Sequence, residues 1–126
     1  MKRLFIDANV LIEILLDRRL SQQCIQILED TSQQYVISAV TVHIVWYIAE
    51  RYNLNQNKVD EVLSIWEVLP LTAHNVKSAR ERYDGKDFED CLQAVCAESG
   101  DCDLIVTIDK KFKQHSRTSL PVTLIS

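Results

Sequence analysis

Short apolar runs alternate with longer amphipathic stretches along the whole chain, and this alternation is what most narrows the folds open to it. Arg3-Leu4-Phe5-Ile6, Tyr35-Val36-Ile37, Val68-Leu69-Pro70-Leu71, Leu104 to Ile108 and Val122 to Ile125 read as strands. Between the first two, Val10 to Leu16 is too long and too continuously apolar for a half-exposed strand and reads as a buried helix, and Ser21 to Thr31 presents Cys24, Ile25, Ile27 and Leu28 on one helical face. Ser38 is placed to cap a helix running to about Arg51, and Val59, Val62, Leu63 and Trp66 recur at helical spacing. Thr72 can cap a helix carrying Val76 and Ala79; Asp87-Phe88-Glu89-Asp90 opens another, with Leu92, Val95 and Cys96 as core contacts and Gly100 at its end. Short strands separated by helices of about 10 to 15 residues imply βαβ units with right-handed crossovers. The expected fold is α/β: a three-layer α/β/α sandwich around a mostly parallel five-stranded sheet.

With 126 residues, 47% of them hydrophobic and 25% charged, the composition is that of one globular domain spanning residues 1–126. Two glycines and two prolines leave no flexible linker. Cys24, Cys91, Cys96 and Cys102 form no C-x-x-C pair and no zinc-like spacing with His43, His74 or His115, so they read as reduced thiols packed as small apolar groups. Asp7 and Glu13 interrupt any signal-peptide core, and no apolar run approaches the roughly 20 residues a membrane span needs. The expectation is a cytoplasmic protein with no membrane partner.

A net charge of −4 and a pI near 5.3 argue against a protein that coats nucleic acid through many phosphate contacts. They leave room for a nuclease whose acidity is concentrated in its site. Asp7 and Asp109 each end a strand-like run and Asp90 opens a helix, so three segments can deliver carboxylates to the crevice beyond the carboxyl ends of a parallel sheet. Each acid also has an ordinary reading. Asp7 or Asn9 can cap the first helix, Asp109 a short turn through Phe112, and Asp87 with Asp90 has capping-box spacing. Three independent caps converging on one edge would repel one another unless a cation sat between them. Mg2+ or Mn2+, oxygen-seeking ions that bridge phosphates, suit such a set and point to Asp7, Asp90 and Asp109 as catalytic, metal-binding residues. Asp90, Ala94 and Ala97 share a helical stripe whose small residues either leave room for a phosphate or pack in the core. Lys110, Lys111, Lys113 and Arg117 form a basic run, read either as a solvated charged face on a short helix or as a phosphate contact.

Phe5-Ile6-Asp7-Ala8-Asn9-Val10-Leu11, Asp87-Phe88-Glu89-Asp90-Cys91-Leu92-Gln93-Ala94 and Ile105-Val106-Thr107-Ile108-Asp109-Lys110-Lys111-Phe112, in that order and spacing, make the chain resemble the PIN-domain ribonucleases, including VapC-like toxins. The resemblance implies divalent-metal-dependent cleavage of single-stranded or structured RNA, a homodimer, and inhibition by a small antitoxin protein. It also implies supporting hydrogen-bonding roles for Asn9 and Thr107. One position departs from the family pattern: where a glutamate is usual, six residues beyond a serine like Ser38, this chain has Ile44. Glu50, about 9 Å further along the helix, is a poor substitute. Asp87, one turn from Asp90, is the better one, whereas Glu89 lies roughly 100° around the helix from Asp90. Two functional classes follow: a metal-dependent endoribonuclease of the toxin type, and a catalytically reduced RNA- or protein-binding module. Aspartyl-phosphate transfer lacks support, because Asp7-Ala8-Asn9 has no second acid. Trp46, Tyr47 and Tyr52 on the helix after the second strand are candidates for base stacking, the core or a dimer interface.

Overall fold

Side chains on a strand point alternately to the two faces of its sheet, and here both faces are apolar, as a sheet covered by helices on each side requires. The structure, a computed structural model, describes residues 1–64 and 66–126. In β1 (Arg3–Ile6), Leu4 and Ile6 face one layer and Phe5 the other. The first layer joins these residues and Ile37 to Val10 and Leu11 of α1 (Ala8–Leu15), Cys24 of α2 (Ser21–Leu28), Val45 of α3 (Ala39–Arg51) and Val59 of α4 (Gln56–Ser64). In the second layer Phe5, Val36 and Ile105 pack on Ala94 and Ala97 of α6 (Phe88–Ser99) and Phe112 of α7 (Phe112–Ser116). Ala79 of α5 (Ala73–Arg82) closes the outside of α6 against Cys91 and Val95. All four cysteines are free and buried.

The remaining strands are β2 (Gln34–Ser38), β3 (Glu67–Leu69), β4 (Leu104–Thr107) and β5 (Val122–Leu124). The sheet order is β3-β2-β1-β4-β5 and every pairing is parallel, which sharpens the expected mostly parallel sheet. The chain builds outward from β1 to β3, then returns to the other side of β1 with β4. That reversal opens a crevice beyond the carboxyl ends of β1 and β4, the place where open α/β sheets hold ligands.

Several boundaries differ from the sequence reading for local reasons. β3 stops at Leu69 because Pro70 has no N–H to donate to a ladder. β4 stops at Thr107 because the Ile108 N–H donates instead to Asn9 Oδ1, at 3.4 Å. The helix expected to include Trp66 is described as far as Ser64; position 65 lies outside the described residues, and Trp66 packs against the first layer. Beyond the turn through Phe112, the short helix expected under the basic run is α7, five residues anchored by fully buried Phe112 and Ser116. Among the described residues, no helix is long and apolar enough to cross a membrane.

Candidate metal centre

Asp7 follows β1 directly, and its N–H donates to Val106 O of β4 at 3.0 Å, so the side chain emerges between the two central strands. It stands at the N-cap position of α1 but makes no side-chain capping bond. Its Oδ2 instead accepts from the Thr107 hydroxyl at 2.8 Å. That hydroxyl in turn accepts from Asp109 N at 3.1 Å and from Asn9 Nδ2 at 3.2 Å, so one threonine joins all three residues. Asp109 does act as a turn residue: its Oδ1 accepts from Lys111 N at 2.9 Å. Asp87, the N-cap of α6, sits in the left-handed region at φ 52°, which Asp tolerates better than most residues, and accepts from Asp90 N at 3.2 Å. The capping box is only half made, since the Asp90 carboxylate makes no return bond to Asp87.

Asp90 points inward. It is 3% exposed, and its Oδ2 is buried without any hydrogen-bond partner, as is Oδ1 of Asp7, itself 2% exposed. Ligand atoms of Asp87, Asp90, Asp109 and His115 all lie within 4.8 Å of one another. Asp7 stands outside this tight group but close enough to act on it electrostatically. Burial above all, then the charges of Asp7, Asp87 and Asp109, pushes the Asp90 carboxyl up to about 9. Burial likewise pushes Asp7 up to about 7, against the Thr107 hydrogen bond and with help from Glu89 and Asp109. Without a cation these acids hold protons near neutrality. A divalent ion would supply the charge that buried, unpartnered carboxylate oxygens lack, and a set rich in carboxylates fits Mg2+ or Mn2+.

The support behind the site is also built from named residues. Fully buried Gln93, on α6 just beyond Asp90, accepts from Ser38 Oγ at 2.5 Å and donates to Thr41 Oγ1 at 2.7 Å, while Ser38 caps α3 through Thr41 N at 3.1 Å. The network ties α6 to β2 and α3 beneath the carboxylates. Ala94 and Ala97, fully buried in the second layer, belong to the core and not to a phosphate path.

Two residues play parts that the sequence reading did not give them. His115 joins the acidic group from α7, its Nδ1 4.0 Å from Asp90 Oδ2 and, like that oxygen, buried and unpartnered. Its only sequence signal was its place three residues beyond the apolar Phe112. Glu89 lies outside the tight group, as its angle on the helix predicts. It faces α3, however, across a hollow lined by His43, Ile44, Tyr47 and Ile48. The carboxylate beside Ile44 is therefore Glu89, brought by a different helix. Trp46 packs on the core, whereas Tyr47 is 57% and Tyr52 51% exposed.

Comparison with known proteins gives a consistent picture. A family model described as the PIN domain matches residues 4–117. Ribonuclease VapC1 of Aquifex aeolicus (strain VF5) is 31% identical over 121 residues, covering 88% of this chain and 84% of that protein. The fold is shared with a toxin–antitoxin complex from Klebsiella pneumoniae (TM-score 0.73, 20% identity, 97% of each chain covered). It is also shared with VapBC2 from Rickettsia felis bound to a DNA fragment from its promoter (TM-score 0.70, 17% identity, 98% of this chain and 99% of that chain covered). From the matched residues 4–117 and the extent of the Aquifex aeolicus relative, the chain belongs to the PIN-domain family.

Proposed function

We propose that this protein is a divalent-metal-dependent endoribonuclease that cleaves phosphodiester bonds of single-stranded RNA, and the toxin of a pair whose antitoxin is a small protein. The reading is carried by one observation: the carboxylates of Asp87, Asp90 and Asp109 gather with His115 beyond the switch point of the sheet, Asp7 acts on them from beside the group, and buried oxygens of Asp7 and Asp90 are left unpartnered. The ribonuclease name of the Aquifex aeolicus relative and the toxin–antitoxin assemblies among the solved structures support it.

Asp7, Asp90 and Asp109 would hold Mg2+ or Mn2+, with Asp87 compensating in part for the glutamate absent at position 44. When bound, the ion supplies an activated water and neutralises charge on the phosphate under attack. Thr107 fixes Asp7 and Asp109 in mutual register, and Asn9 steadies Thr107. Lys110, Lys111 and Lys113, exposed directly after Asp109, would meet the RNA backbone. Tyr47, exposed beside Glu89, offers a face on which a base can stack.

Ile44 is the feature that favours a binding module without activity. Glu89 beside it weakens that alternative, because it returns a carboxylate to the same neighbourhood. Cleavage of a mixed pool of single-stranded RNA, measured after chelation and after Mn2+ is restored, decides between the two. The nuclease reading expects cleavage that chelator abolishes and Mn2+ recovers. RNA that is bound but left intact with Mn2+ present would favour the binding module.

A further inference from the structure

We propose that His115 is a nitrogen ligand of the metal centre, making it a mixed imidazole–carboxylate site selective for Mn2+ and later transition ions over Mg2+. The proposal rests on the metal-dependent reading above and specifies the ion. His115 Nδ1 and Asp90 Oδ2 are both sealed from solvent, both lack a hydrogen-bond partner, and face each other at 4.0 Å. That separation is too long for a hydrogen bond between them. It matches two donors that share an ion. Ligands about 2.1 Å from one metal stand roughly 3.0 Å apart when adjacent and roughly 4.2 Å when opposite. Asp87 and Asp109 belong to the same group, all four ligand atoms lying within 4.8 Å of one another, and the widest pair has to draw in slightly to meet on one ion.

The histidine is held there by its own element. Phe112 seats α7 in the core, His115 N donates to Lys111 O at 2.9 Å, and the Cys91 thiol of α6 meets His115 O at 3.5 Å. The imidazole is thereby set against the same face of α6 that carries Asp90. Imidazole adds little for Mg2+, which prefers oxygen, and progressively more for Mn2+, Co2+ and Zn2+.

The test is pulsed electron paramagnetic resonance of Mn2+ bound to the metal-stripped full chain, with calorimetric titration of Mn2+ and Mg2+ into the wild type and His115→Gln. The expected result is modulation from a directly coordinated 14N nucleus in the wild type, lost in His115→Gln. Calorimetry should show the Mn2+ affinity of that variant lowered on the order of ten-fold or more, the loss that even an outer partner of a ligand causes, with Mg2+ affinity lowered less. Mn2+ bound without 14N modulation overturns the histidine assignment and leaves the carboxylate site standing. An absence of Mn2+ binding overturns both. The wild-type spectrum decides the assignment even if the variant does not fold.

Discussion

The unpartnered oxygens of Asp7 and Asp90 set how this protein should respond to pH. Both carboxyls bind protons more tightly in the folded chain than unfolded, at about 7 and about 9 against an ordinary value near 4. The folded state therefore holds more protons than the unfolded state through that window, so stability falls as pH rises. Thermal unfolding of the metal-free protein should decline from about pH 4 to 7, where both acids contribute, and more gently toward 9. Glu67, held low by its hydrogen bonds from Arg3, acts in the opposite sense only at the acid end. Saturating Mn2+ should flatten the profile; an unchanged slope would contradict a cation among these acids. Thr107→Val keeps the shape but strips Asp7 and Asp109 of their shared hydroxyl. Titration should show metal affinity lowered by about 10- to 100-fold, the usual effect of removing an outer-shell partner. The sequence disclosed the acids because each ends an apolar run or opens a helix. It did not disclose His115 in the group or Glu89 opposite Ile44, because the first depends on the packing of α7 on α6 and the second on where α6 faces α3, which no local spacing encodes.

At the scale of elements, periodicity and capping chemistry made most of the fold legible. Ser38 caps α3, and Thr72 forms a full capping box with Asn75 on α5, each as its residue type suggests. What remained hidden were ends decided by competition for hydrogen bonds, such as Ile108 giving its N–H to Asn9, and the bounds of the short helix α7, whose five residues are too few to show a period. The polar link between α6 and α3 was hidden too, since nothing in Gln93 itself marks it for burial. Gln93→Leu should lower unfolding free energy by about 1–3 kcal/mol in denaturant titration, because it leaves the Ser38 and Thr41 hydroxyls without their partner. A loss below about 0.5 kcal/mol, the size of an ordinary surface change, would mean that the network does not hold these helices together.

For the molecule as a whole, an acidic chain that acts on a polyanion must confine its attraction to one region and neutralise its repulsion in another. Under the proposed nuclease reading, the basic run beyond Asp109 would supply the first and a cation among the carboxylates the second. Replacing Lys110, Lys111 and Lys113 by alanine should weaken RNA binding across sequences and flatten its log–log dependence on salt by about 0.7 for each phosphate that is no longer neutralised. Mn2+ affinity should change little in that variant; an unchanged salt slope would place the RNA elsewhere. The central claim is that the converging acids form a metal centre, and calorimetric titration of Mn2+ into the metal-stripped protein beside Asp90→Asn tests it most directly. Saturable binding is expected in the wild type, weakened at least about ten-fold in the variant. No saturable binding in the wild type, even with a single-stranded RNA oligomer present to supply phosphates, would contradict it.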